Sequence, residues 1–400
     1  MDNKKNGIPK LRFPGFTGAW EQRKLGDYLS IPTKEPITDI NELKLMTLKL
    51  NLEGITLTAN RETLKLGATK YYKRHEGQLL YGKQNFFHGS IALIPKEAEG
   101  YATSGDVPAL DISNVNGKYL VDYISRPSYF KAKEALATGT GSKRIHEKTL
   151  LNFKITVPSL EEQNAISDFI TNYTNLITLH QRKLEHLQEQ KKGLLQKMFP
   201  KNGETVPEVR FPGFTDAWEQ RKLGEVADIF DGTHQTPKYT DSGIKFVSVE
   251  NIATLETEKY ISQKAYESEY SNKQAEKGDV LMTRIGNIGT PKLIEKDEPL
   301  AYYVTLALLK PKNIDSNFLA WGISSPKVQR NIWKLTLHIA FPKKINLGEI
   351  NQVSISIPSI NEQKKIGDFF KQLDSLIALH QRKLDHLELM KKGLLQQMFV

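Results

Sequence analysis

Five short stretches of this 400-residue chain carry side chains whose types suit base edges or phosphates. Lys83, Gln84, Asn85 and His88 crowd into Lys83-Gln-Asn-Phe-Phe-His-Gly89, and Thr283, Arg284 and Asn287 into Thr283-Arg-Ile-Gly-Asn287. Thr233, His234, Gln235 and Thr236 belong to Asp231-Gly-Thr-His-Gln-Thr-Pro-Lys238, while the pairs Lys143-Arg144 and Lys343-Lys344 each precede an Ile. Arg or Lys matches guanine O6 and N7, Asn or Gln matches adenine N6 and N7, and glycines let backbone approach closely. Paired cations also suit phosphate. Taken singly, each loop has the make-up of a solvated turn, and each cation pair that of ordinary surface charge. Their return at matching places in the two halves of the chain favours a shared task.

Signatures of catalysis are missing. Gly77-Gln-Leu-Leu-Tyr-Gly82-Lys83-Gln84 spells G-x-x-x-x-G-K, but Gln84 replaces the Ser or Thr that a phosphate loop needs on Mg²⁺, and the counterpart at Gly278 lacks the pattern. Gly286-Asn-Ile-Gly289 lacks the third glycine of a dinucleotide fingerprint. No G-x-S-x-G, H-E-x-x-H, paired carboxylates or Asn/Asp-Pro-Pro-aromatic loop of an amino-methyltransferase occurs. The absence of cysteine excludes disulfides, thiolate metal sites and a cysteine nucleophile. His180 with His186, and His380 with His386, stand six apart on roughly opposite helix faces, so neither pair makes a bidentate metal site. No catalytic residue, metal ligand or cofactor is therefore assigned to this chain. Its net charge of +10 favours a polyanionic partner. No run of 18 apolar residues and no apolar leader follow the first residues, so the expectation is a cytoplasmic protein without membrane spans.

The elements that must position these loops emerge from an internal repeat. RFPGFTGAWEQRKLG at 12–26 returns as RFPGFTDAWEQRKLG at 210–224, identical at 14 of 15 positions, and 155–199 returns as 355–399 with 26 of 45 identical. Between them lie inserts 27–154 and 225–354, nearly equal in length and far apart in sequence. Gly77–Lys83 aligns with Gly278–Arg284, and Lys143-Arg144-Ile145 with Lys343-Lys344-Ile345. Each repeated C-terminal block predicts a long helix after Pro158-Ser159 or Pro358-Ser359. Its apolar seam runs through Ile166, Ile170, Ile177, Leu184, Leu187 and Leu194, and again through Ile366, Phe370, Ile377, Leu384, Leu387 and Leu394. Lys191 and Lys391 on this seam are expected to snorkel outward. Such helices pack on each other as rods of about 57 Å. Short β-rich runs such as 91–94, 245–249, 303–309 and 353–357 mark the inserts as mixed α/β. The expected architecture is α+β: two mixed α/β domains, 1–154 and 201–354, separated by two long coiled-coil helices, 155–200 and 355–400, packed on each other in a pseudo-twofold tandem repeat.

This organisation resembles the specificity subunit of Type I restriction–modification systems over the whole chain. The likeness rests on the two variable inserts, the repeated RFPGFT-AWEQRKLG and LHQRKL/KKGLLQ blocks, and the proline followed by Glu161-Glu-Gln163 or Glu362-Gln363 at the helix starts. It implies that each insert is a target recognition domain reading one half of a split double-stranded DNA sequence. It further implies that the helices pack antiparallel, set the gap and dock two modification subunits, joined by restriction subunits. S-adenosylmethionine, ATP and Mg²⁺ would then belong to those partners, and residues of the first insert cannot be matched one by one to the family. A different reading, a structural adaptor that assembles proteins through its helices without reading DNA, remains open, as does an ATP-binding enzyme built on Gly77 to Gln84.

Overall fold

The computed structural model describes residues 7–57, 69–139, 142–235 and 237–400. They form two compact units, one of Met1–His180 with Lys383–Val400, the other of Gln181–Arg382.

In the first unit, Glu21–Lys24 from the repeated N-terminal block pairs antiparallel with Lys154–Val157, Glu21 opposite Val157. This ribbon brings the two ends of the insert together. Beyond it, an antiparallel sheet runs in the order Leu29–Ser30, Ala109–Ile112, Leu79–Tyr81, Ile91–Leu93. Leu79, Leu80 and Tyr81 are all fully buried, as expected of a central strand covered on both faces. Two further strand pairs, Met46–Leu48 with Ile55–Leu57 and Tyr71–Lys73 with Ala102–Ser104, complete the unit.

The second unit repeats this frame. Glu219–Lys222 pairs with Ser354–Ile357 in the same register, Glu219 opposite Ile357. Its sheet runs Ala227–Asp231, Leu306–Pro311, Val280–Thr283, Pro291–Leu293, strand for strand the order of the first. The difference lies at the periphery, where Tyr239–Thr240, Tyr260–Ile261, Ile244–Val247 and Leu300–Tyr302 join in one four-stranded sheet with its own core around Phe246, Tyr270 and Tyr302, in place of the two separate strand pairs of the first unit. Divergent insert sequence has gone into peripheral strands, while the central sheet is held.

The helices Leu160–Lys197 and Ile360–Met398 are 38 and 39 residues long. Ser159 Oγ accepts from the Glu162 amide at 3.3 Å, and Glu161 and Glu162 in the first turn complement the helix dipole. Within the second unit the two helices run antiparallel: Lys191 meets Asp374, and Met198 and Phe199 share a core with Ile366 and Phe370. Met398 and Phe399 share one with Ile166 and Ile170 in the first unit. Of the seam, Ile166, Ile170, Leu184, Leu187, Ile366, Phe370 and Leu384 are buried, and Ile177, Leu194, Ile377, Leu387 and Leu394 half-buried. Lys191 departs from the expectation. It does not snorkel into water, because its Nζ lies 2.5 Å from Asp374 and 4.6 Å from the centre of the Trp321 ring.

The end of a helix also plugs each core. Phe399 packs beside Trp20 and Tyr119, and Phe199 beside Trp218 and Phe318, with ring centres 5.5–6.3 Å apart. Phe13 meets Phe169 edge-on at 5.6 Å, as Phe211 meets Phe369 at 5.8 Å. The repeated RFPGFT block is thus a clamp on the first turns of each long helix.

Candidate nucleic-acid interface

Arg284 sits where the buried strand Val280–Thr283 ends, and four loops converge on it. Its amide donates to Thr305 O at 2.9 Å, and its carbonyl accepts from the Ile345 amide at 3.0 Å. The guanidinium donates to Ile345 O, Val304 O and Asp231 Oδ2, each at 3.3 Å. Only 11% of the side chain is exposed, so it reaches a base only by giving up these partners. Asp231 also lies 2.7 Å from His234 Nε2. Burial raises the Asp231 carboxyl, but His234 and Arg284 outweigh it and hold it below the usual carboxylate range.

Glycine lets these loops meet. A Cβ on Gly232 would collide with the backbone of Tyr302 and Tyr303, beside which the Thr233 amide donates to Tyr302 O at 3.3 Å and the Val304 amide to Thr233 O at 3.0 Å. Gly289, at φ +85°, closes the turn whose amide donates to Thr283 O at 2.9 Å. Inside that turn Thr283 is fully buried, its Oγ1 donating to Asn287 O at 2.5 Å and accepting from the Thr290 amide at 2.9 Å. Thr233 is likewise buried, its hydroxyl facing Gln235 O and Glu269. Both threonines stood among the residues expected at the DNA; here their hydroxyls are engaged within the protein, Thr283 closing its turn and Thr233 facing Gln235 O and Glu269. His234, Gln235, Asn287, Lys343 and Lys344 are exposed, and Thr236 lies outside the described residues.

Lys83 holds the equivalent place in the first unit. Its amide donates to Asp106 O and its carbonyl accepts from the Ile145 amide at 2.8 Å, matching the Arg284–Ile345 link. Lys83 Nζ lies 2.9 Å from Glu147 with both side chains largely covered. Burial raises the Glu147 carboxyl, but the hydrogen bond and charge of Lys83, with its own backbone amide and His146, together outweigh it and hold it below the usual carboxylate range. Tyr81 also donates to Ile145 O, at 3.1 Å. With its amide oxygen turned toward Arg144, Gln84 accepts from Nη2 at 2.6 Å and Nε at 3.2 Å, while Arg144 Nη1 donates to Asp106 at 2.8 Å. Asn85 is half-buried at the start of the turn Phe86–His88. His88 is exposed, and Lys143 is exposed and paired with Glu134 at 2.9 Å.

The structure therefore gathers Lys83, Gln84 and Arg144 into one cluster, and Thr233, His234, Thr283, Arg284, Asn287 and Lys344 into another. The acids that tie them down, Asp106, Glu147 and Asp231, were not among the expected residues. Asp231 opens a loop already singled out and Glu147 stands three residues after Arg144, whereas Asp106 carried no such signal. Among the described residues no group of three or more His, Asp or Glu is placed to hold a metal, and no helix is long and apolar enough to cross a membrane.

Comparison with known proteins agrees with this frame. The Type I restriction modification DNA specificity domain matches twice, over residues 18–189 and 215–389. The specificity subunit of the Type I restriction enzyme MjaVIII from Methanocaldococcus jannaschii is 25% identical, covering 94% of this chain and 91% of its own. The EcoBI specificity subunit of Escherichia coli is 22% identical over 80% of this chain and 73% of its own. Among solved structures, the S subunit of a Type I restriction–modification system from M. genitalium superposes with a TM-score of 0.61 at 14% identity, covering 98% of this chain and 99% of that one. A chain from a structure of Type I complex assembly and conformational transition gives 0.54 at 18% identity, covering 98% of this chain and 99% of that one. With two copies of that domain spanning most of its length, the chain belongs to the Type I restriction–modification DNA specificity family.

Proposed function

We propose that this chain is the sequence-reading subunit of a Type I restriction–modification complex, each unit reading one half of an asymmetric, bipartite double-stranded DNA target. The observation that carries this is one sheet built twice, with unlike loops gathered at Lys83 and Arg284 at the same place in each copy. Identical frames with different loops suit two different half-sites. The long helices set the gap between the half-sites and dock two modification subunits. Leu176 and Leu179, and their repeat equivalents Leu376 and Leu379, are large apolar side chains 38–63% exposed, which supports a matching partner on each copy. Restriction subunits complete the assembly in the cytoplasm. Chemistry lies with the partners, which would bring S-adenosylmethionine, ATP and Mg²⁺; this chain supplies positions.

The test is a methylation map of cells expressing the chain with its modification subunit, compared with one in which residues 225–354 are replaced by the insert of a relative. One half-site should change and the other persist. A map in which both halves change sinks the modular reading, and a map unchanged by the swap favours an adaptor that does not read DNA.

A further inference from the structure

The loop that closes the second site carries a feature that the frame does not require. The Leu337 amide donates to Lys344 O at 2.8 Å, and between them run His338-Ile-Ala-Phe-Pro-Lys343. Ile339 is 99% exposed and Phe341 fully exposed. The base of the loop is braced rather than loose: His338 Nε2 lies 2.9 Å from Trp333 O, the two rings meet edge-on at 4.3 Å, and Lys343 Nζ sits 4.6 Å from the centre of the Trp333 ring. In the first unit the equivalent loop closes by the same kind of ladder, Thr138 to Arg144 at 2.8 and 3.0 Å, around a sequence of Gly, Thr, Ser and Lys with no apolar side chain. Closure therefore needs neither Ile339 nor Phe341.

The surroundings state what covers them. Residues 316–348 contain no Asp or Glu, but include Lys327, Arg330, Lys334, Lys343 and Lys344. Ile285 is bridged to Lys344, so the tip rises directly beside the Arg284 cluster. Apolar side chains presented beside the exposed Lys343 and Lys344, on an acid-free stretch of chain, fit a polyanion with an apolar interior, and stacked DNA bases between phosphate backbones are that partner. Resting on the function proposed above, we infer that Ile339 and Phe341 form a wedge that enters the duplex at the half-site read by the second unit and unstacks a base step. The first unit, lacking such a tip, reads its half without one.

The test uses the assembled complex of this chain with its modification subunits and a duplex bearing the mapped target. 2-Aminopurine replaces each adenine of the second half-site and its flanks in turn, leaving out the adenine that becomes methylated. Wild type should brighten at one step on binding. Ile339→Ser with Phe341→Ser should abolish that signal and weaken binding about tenfold to a hundredfold, with discrimination at the first half-site unchanged. Because both side chains stand in solvent, the double variant should keep its melting temperature. Equal brightness and affinity in the two proteins overturn the wedge. So does a variant that fails to assemble with the modification subunits while wild type shows no brightening, which would make the loop a protein contact. If wild type itself binds mapped and scrambled duplexes alike, the DNA-reading function fails and takes the wedge with it.

Discussion

Arg12 grips Glu162 with two hydrogen bonds, Nε to Oε1 at 2.8 Å and Nη2 to Oε2 at 2.7 Å, with the carboxylate almost wholly buried. Arg210 grips Glu362 in the same way, both bonds at 2.7 Å. Each grip ties the repeated N-terminal block to the first turn of a long helix, 150 or 152 residues away. Such a bidentate pair is retained as a whole or lost as a whole, since removing one partner strands a buried charge at a cost of about 3–5 kcal/mol.

The two grips differ beyond the carboxylate, where Arg12 Nη2 also donates to Thr17 O at 3.2 Å, and the repeat shows why. Arg12 Nη1 donates to Gly18 O at 2.5 Å, whereas Arg210 Nη1 is buried without a partner. Gly18, at φ +82°, is the one position of that 15-residue block that changes, to Asp216. Asp216 is not in the left-handed region that a glycine enters freely. Asp216→Gly should let the carbonyl turn toward Arg210 and stabilise the second unit by about 0.5–1.5 kcal/mol. A rise in the calorimetric melting temperature checks this; a fall means that the loss of side-chain restraint in the unfolded chain outweighs the new bond.

Removing Arg284 should damage stability and DNA reading together. Arg284→Ala leaves Val304 O and part of the Ile345 carbonyl unpaired and Asp231 held only by His234, a cost of about 1–3 kcal/mol. Exposed Asn287 behaves differently: Asn287→Ala should leave melting unchanged and lower discrimination between the mapped target and a single-base variant by roughly 1–3 kcal/mol. Competition binding with calorimetry separates the two. An Arg284→Ala protein that melts normally yet prefers a different base would show that the guanidinium swings out to read.

The contrast marks how far sequence reasoning reaches here. The duplication, the long helices and the seam from Ile166 to Leu194 were legible, because a 3.6-residue period and an offset near 200 survive without any knowledge of packing. The loops at Lys83 and Arg284 were legible as places, since the repeat aligns them. Their roles were not. Thr283 and Arg284 are polar residues at the end of a buried strand, and only three-dimensional neighbours such as Asp231 and Ile345 decide whether a donor faces outward or closes a turn. The grip of Arg12 on Glu162 was hidden for a related reason: both residues recur in the repeated blocks, but nothing in one dimension pairs positions 150 apart.

Asp122 should make the first unit sensitive to mild acid and base. It aligns with Trp321, so where the second unit lays Lys191 on an indole, the first sets a carboxyl near Lys391. Burial pushes Asp122 up to about 6 against the pull of Lys391 and Lys118, and its Oδ2 is buried without a partner. Burial likewise depresses Lys391. A raised carboxyl favours the protonated folded state, so its contribution is full below the unfolded value of about 3.9 and is lost as pH rises through about 6. Asp122→Asn should flatten the fall in melting temperature between about pH 4 and pH 7 that this group causes, a difference of up to about 3 kcal/mol. Equal pH slopes for wild type and variant sink the assignment.

The salt dependence of DNA binding should be unequal between the two units. Lys343 and Lys344 are exposed, and Lys343 rests on Trp333; neither has an ion-pair partner among the described residues. Their counterparts are already engaged, Lys143 with Glu134 and Arg144 with Asp106, so a phosphate would have to displace a carboxylate that stays nearby. Each phosphate neutralised by a free cation releases counterions and steepens the fall of affinity with salt by about 0.9 in the logarithmic slope. Lys343→Ala with Lys344→Ala should therefore flatten the slope by about two, and Lys143→Ala with Arg144→Ala by less. Titrations of the assembled complex from low to physiological salt measure both. Equal changes for the two double variants would mean that the acids of the first unit swing clear on binding, and no change for Lys343 and Lys344 would place the phosphates elsewhere.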